Sequence, residues 1–182
     1  MTTYSCHLKK LLPLSVSVLL ACANALAAPD QAGEPAPAQT AAVAQSTKLF
    51  NDLADQALLA MKQRAEALKI KGVAVVAFVP GDEVSSWCSK MLVVGQLKTD
   101  SSTNNPGSNL LAIAYAKASE MADTLKPSGS GVRPPLIGEL GWQGGWIAPG
   151  KTGHIIAAFS GGRSEDDVMV SKTGVGVLAG AL

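Results

Sequence analysis

Apolar side chains recur along this chain at two different spacings, and the switches between them set the order of predicted elements. From Ser46 to Ile70 the positions Leu49, Leu53, Ala57, Ala60, Met61, Ala65 and Leu68 return every three or four residues, the stripe of an amphipathic helix, which Lys71-Gly72 ends. Val73 to Val79 is a continuous apolar run rich in valine, as a strand buried on both faces requires. Pro80-Gly81-Asp82 is a turn signature, so Val84 to Val94 is predicted to return as the second strand of a hairpin. After a polar loop from Asp100 to Ser108, Ser108 or Asn109 is placed to cap a helix from Leu110 to Leu125. That helix puts Leu111, Ala114, Ala118, Met121, Ala122 and Leu125 on one face, with Lys117, Glu120 and Asp123 off it, and Pro127 stops it.

The segment from Ser128 to Gly153 is rich in Gly and Pro, with Trp142, Trp146 and Ile147 embedded, and predicts short strands separated by tight turns. His154 to Ser160 reads as a further apolar strand. Ser164 ahead of Glu165, Asp166 and Asp167 reads as a cap hydroxyl with acids in the first helical turn, followed by Val168, Val170, Val175 and Leu178. Helices alternating with hairpins predict an α+β domain, an antiparallel sheet of about five strands flanked by helices.

The amino terminus carries a different pattern. Lys9 and Lys10 precede the apolar run Leu11 to Leu20, and Ala25-Leu26-Ala27 is a small-x-small cleavage pattern, so residues 1–27 are predicted to be a secretory signal peptide. The apolar run is too short to span a bilayer. Leu19-Leu20-Ala21-Cys22 supports a rival reading as a lipobox, in which Cys22 is acylated and holds the protein on a membrane. Residues 28–45, with Pro29, Pro35, Pro37 and many alanines, read as a flexible Ala/Pro-rich linker, leaving residues 46–182 as the domain. The predicted product is exported, periplasmic or extracellular.

Composition narrows the function classes. The full chain has 15 Lys+Arg against 14 Asp+Glu, is 47% apolar and only 4% aromatic, and shows no charge run. Neither a phosphate-tracking stripe nor a stacking platform can be assembled, which excludes a nucleic-acid partner. With the signal removed, Cys88 is the one remaining cysteine and His154 the one histidine. No internal disulfide and no four-ligand zinc site can form within one chain. Cys88 reads as a small core hydrophobe, an intermolecular bridge or reactive thiol being the alternative.

Gly145-Trp146-Ile147-Ala148-Pro149-Gly150-Lys151-Thr152 matches the P-loop pattern letter for letter, but its context argues against it. The residues after Thr152 read as a strand rather than a helix, and Pro149 lacks an N–H inside the cradle, so a Pro-Gly turn joining two strands is expected. A serine hydrolase is disfavoured because Ser160 and His154 share one predicted strand, about 20 Å apart. His154 has the chemistry of an axial heme ligand, but in the absence of a second ligand motif it reads first as a polar residue at the entrance of a strand. Trp142 to Trp146, with Gly141, Gly144 and Gly145, has the composition of a small-molecule pocket rim or of a subunit contact.

Gly144-Gly145 with Ile147, then Gly153-His154-Ile155-Ile156-Ala157-Ala158-Phe159-Ser160-Gly161-Gly162 followed by Ser164-Glu165-Asp166-Asp167, resembles the family that includes GlcG, the heme-binding protein HbpS and the carboxy-terminal domain of PduO. In that family a glycine pair precedes a strand written roughly I-G-A-I-G-V-S-G, and an acidic helix start follows. The stretch Ala112-Ile113-Ala114, Ala116-Lys117-Ala118 is similar to the family's earlier I-A-x-x-K-A helix, so the likeness covers most of residues 55–180. It implies a profilin-like sandwich, often a homo-oligomer, and binding of heme or a related tetrapyrrole in some members.

The expectation is therefore an exported, non-catalytic small-molecule binding protein with heme or a related tetrapyrrole as ligand. Its cofactor-binding residues would be His154, Met91, Trp142, Gly144, Gly145 and Trp146. A structural or oligomeric interaction protein without cofactor is the alternative. An enzyme using Lys117 or the acids near Glu165 is a third reading; Lys117 reads otherwise as a solvated helix lysine.

Overall fold

The computed structural model describes residues 37–182, so the predicted signal peptide, Cys22 and the first part of the predicted linker lie outside the described residues. Helix α1 spans Pro37–Ala67, β1 Gly72–Pro80, β2 Cys88–Val94, β3 Lys98–Thr99, β4 Ser108–Asn109, α2 Leu110–Thr124, β5 Gly145–Pro149, β6 Gly153–Ser160 and α3 Ser164–Ala179. The α+β class is as the pattern predicts. The main sheet has four strands rather than five, all antiparallel, in the order β2-β1-β6-β5, and β3 and β4 form a separate two-stranded ribbon.

Strand alternation divides the core into two sides. Ala74, Val76 and Phe78 of β1 and Ile155, Ala157 and Phe159 of β6 pack with Phe50, Ala54, Ala57 and Met61 of α1 and Val170, Val175 and Leu178 of α3. The intervening residues Val73, Val75, Ala77, Val79, Ile156 and Ala158 pack on the other side against Leu110, Ala114, Ala118 and Met121 of α2. Both central strands are thus covered on both faces, which explains the unbroken apolar runs. The fold is three-layered: α1 and α3, the sheet, then α2.

Three predictions need correction. Residues 37–45, read as flexible linker, are helical and belong to α1. The alanines among them propagate the helix outward from Ser46, a buried residue whose hydroxyl meets Thr152 Oγ1 at 2.8 Å. The segment from Ser128 to Gly153 supplies one strand, β5, because glycines with positive φ at 129, 131, 138, 141 and 144 keep the chain turning before it. Ser164 does not cap α3; Arg163 is the cap residue and makes no side-chain cap bond. The prediction for α2 holds, with Asn109 Oδ1 accepting the Ala112 N–H at 3.0 Å.

The P-loop look-alike is a β-hairpin. Pro149 pairs with His154 across the turn, Lys151 Nζ donates to Ala181 O, and strand β6 rather than a helix follows directly after Thr152. Cys88 is a free, half-buried thiol at the start of β2, packed at the margin of the α1–α3 core. Among the described residues no helix is long and apolar enough to cross a membrane.

Candidate functional site

The residues expected to hold a cofactor do not converge. Met91 lies opposite Val75 and is packed beside Leu110 and Ala114 of α2. His154 lies opposite Val79, four register positions further along β1, about 13 Å away along the strand. Its Nε2 meets Asp82 Oδ1 at 2.7 Å. Trp146 points to the opposite side of the sheet, against the α1–α3 core, with Lys172 Nζ 4.1 Å from its ring centroid. Trp142 is largely exposed.

Gly144 and Gly145 are buried, but their surroundings are protein. A Cβ on Gly144, at φ +135°, would overlap Lys117 Nζ, and one on Gly145 would overlap the end of Met121. Heme held between His154 and Met91 requires the two side chains to face one slot, and their separation of four register positions along β1 does not provide it, so these residues do not fit that arrangement. Among the described residues no three His, Cys, Asp or Glu are grouped to hold a metal ion.

The pattern of α2 placed Lys117 off the apolar face; the structure buries it. Lys117 Nζ donates to Asp167 Oδ2 at 2.9 Å and to Phe159 O at 2.8 Å. Asp167, read as an ordinary first-turn acid, is equally buried, and its other oxygen accepts the Gly162 N–H at 2.8 Å. Burial pushes its carboxyl above the ordinary value of 3.8, against the pull of the Lys117 ammonium and the Gly161 and Gly162 amides. The signal that could have exposed this pair is Gly144, whose missing side chain leaves the passage that the ammonium occupies. Ser171 Oγ donates to Gly144 O at 2.7 Å and fixes that passage. A small depression of about 200 Å³ opens beside the pair, lined also by Ser160, Ser164 and Trp142.

A larger cleft, of about 720 Å³, lies on the α2 side between the β1–β2 turn, α2 and the segment after it. Val84, Trp87, Ala122 and Leu136 give it an apolar lining, and Asp82, Glu83, Asp123 and Glu139 stand around it. Trp87 is held by Tyr115 of α2, with ring centroids 6.1 Å apart, and the Tyr115 hydroxyl is 3.1 Å from Ser89 Oγ. The Leu136 wall is fixed by Arg133. Its guanidinium grips both oxygens of Glu139 at 2.7 and 2.8 Å and reaches Asp123 of α2, while Glu139 Oε2 accepts the Leu136 N–H. That grip raises the Arg133 pKa and holds the Glu139 carboxyl down at about 2. Asp82 joins the cleft to His154, which lines a separate depression of about 360 Å³ with Gln39, Lys151 and Thr152.

Sequence reasoning missed this cleft because its walls are far apart in the chain and are brought together by tertiary contacts, the Arg133 ion pairs and the packing of Trp87 on Tyr115 and the α2-side core among them. Comparisons of the chain with protein-family models and with curated proteins find no match.

Proposed function

We propose that this protein is an exported, non-catalytic binding domain whose small organic ligand occupies the cleft between Trp87, Ala122 and Leu136. The observation that carries the reading is the cleft's size and lining. Its volume of about 720 Å³, apolar with a few polar groups at the margin, is that of small-molecule sites, which span about 300–1,000 Å³. The sheet with helices on both faces supports placing the domain with the profilin-like GlcG/HbpS proteins, and a tetrapyrrole is the ligand which that likeness implies. The placement of His154 and Met91 supports a ligand held by apolar contact rather than through an iron–imidazole bond.

Titration with Nile red, a flat and neutral apolar dye, tests the site. Its emission rises on binding, and Val84→Ser and Leu136→Ser, both at exposed positions, each weaken binding by about fivefold through lost apolar contact. Unchanged affinity in both variants overturns the assignment.

A second observation favours assembly as an additional role. Val132, Leu136, Ile137, Leu140 and Trp142 are all exposed apolar side chains on the segment before β5, with Ile137 fully exposed. A homo-oligomer through this segment dissociates in Ile137→Glu, measured by sedimentation. A monomeric parent protein overturns it.

A further inference from the structure

We infer that the cleft selects an organic cation carrying an apolar or aromatic body, an inference that rests on reading the cleft as a ligand site. Every ionisable side chain lining it is an acid: Asp82 and Glu83 from the β1–β2 turn, Asp123 from α2, and Glu139 from the segment beyond. Arg133 stands outside the lining and answers some of this charge, and His154, also outside it, bonds to one of the acids. Arg133 is committed to Asp123 and Glu139, and His154 to Asp82. Glu83 has no side-chain ion pair or hydrogen bond among the described residues. A carboxylate, sulfonate or phosphate entering the cleft would meet Asp82 and Glu83 with no lining cation in compensation. An ammonium gains from both.

The apolar wall has the matching chemistry. Trp87 presents the largest ring in the cleft, and the face of an indole attracts a cation through its quadrupole. Tyr115 and Ser89 hold the neighbouring framework, so the ring is placed before a ligand arrives. Val84, Ala122 and Leu136 offer aliphatic contact to the ligand's body, and the remaining lining residues, Ser86 and Ser119, are neutral hydroxyls that add no charge. Charge complementarity thus separates an organic cation from a tetrapyrrole, whose propionates would face the same carboxylates.

Two probes with one body and opposite charges test the inference: phenylbutyltrimethylammonium and phenylbutanesulfonate, titrated calorimetrically into the parent protein at low ionic strength. The cation binds at least about tenfold more tightly, and added salt shrinks the ratio. Glu83→Gln, at an exposed position, weakens the cation by about fivefold, the worth of one charge near contact in a water-like medium, and does not weaken the sulfonate. Equal or tighter binding of the sulfonate, with both probes weakened by Leu136→Ser, overturns cation selection while the cleft remains a ligand site. Binding of neither probe overturns the selection and the site together.

Discussion

Lys117 and Asp167 meet at 2.9 Å with side-chain exposures of 3% and 4%, joining a helix on one side of the sheet to a helix on the other. The contact runs past the start of β5, where Gly144 leaves room for it. The ammonium also donates to Phe159 O near the end of β6, so one side chain ties α2, β6 and α3 together. Such a pair is costly to split and inexpensive to replace as a unit.

Lys117→Met therefore destabilises the protein by about 3–5 kcal/mol, because it leaves the Asp167 carboxylate buried without its counter-charge. The double variant Lys117→Met with Asp167→Leu recovers most of that loss, since apolar side chains of similar volume need no desolvation of charge. Urea denaturation of the two single variants and the double variant measures the coupling. Additive losses would show that the two side chains act independently.

Gly144→Ala destabilises the protein by at least about 1–3 kcal/mol, the cost of placing a side chain in that backbone region. The added Cβ also displaces the ammonium, so part of the loss disappears in a Lys117→Met background. A variant as stable as the parent would show that the passage is not needed.

The Arg133–Glu139 grip makes stability depend on pH with a defined sign. The Glu139 carboxyl is held at about 2 in the folded chain against an ordinary 4.5, so its contribution is complete above about 4.5 and is lost as pH falls toward about 2. Asp167 acts in the opposite direction: its raised pKa means that the folded state holds the proton more tightly, so its contribution falls as pH rises above its ordinary value. Urea midpoints between pH 2 and pH 5 measure the Glu139 arm, which Arg133→Leu removes. An identical acid profile in that variant would place the dependence elsewhere.

Hemin titration of the parent protein gives no Soret shift attributable to His154, whose Nε2 is bonded to Asp82. His154→Ala leaves the visible spectrum of a hemin mixture unchanged. A Soret band present in the parent and lost in that variant would restore an imidazole-bound tetrapyrrole as the ligand.

Periodicity alone located the two central strands, because burial on both faces demands uninterrupted apolar residues from Val73 to Val79 and again from Ile155 to Phe159. It also located α2 and its Asn109 cap, and it separated the Gly145–Thr152 motif from a phosphate loop by the strand that follows. All of these are local consequences of residue spacing and backbone geometry. The helical state of residues 37–45 was hidden by a proline–alanine composition shared by linkers and helices, and continuity with the part of α1 that packs on the sheet decided between them.

The site was less legible, for a different reason. Lys117 and Asp167 are 50 residues apart, and a lysine off the apolar stripe looks solvated until the fold brings a carboxylate to it. Trp87, Ala122 and Leu136 likewise share no sequence pattern; Arg133 brings the Leu136 segment to α2 through Asp123, and Tyr115 of α2 holds Trp87. Sequence spacing determines which residues one helix or strand turns to the same side. Only the tertiary structure decides which charges meet across layers, because a buried charge takes its partner from whatever the packing places within hydrogen-bond reach.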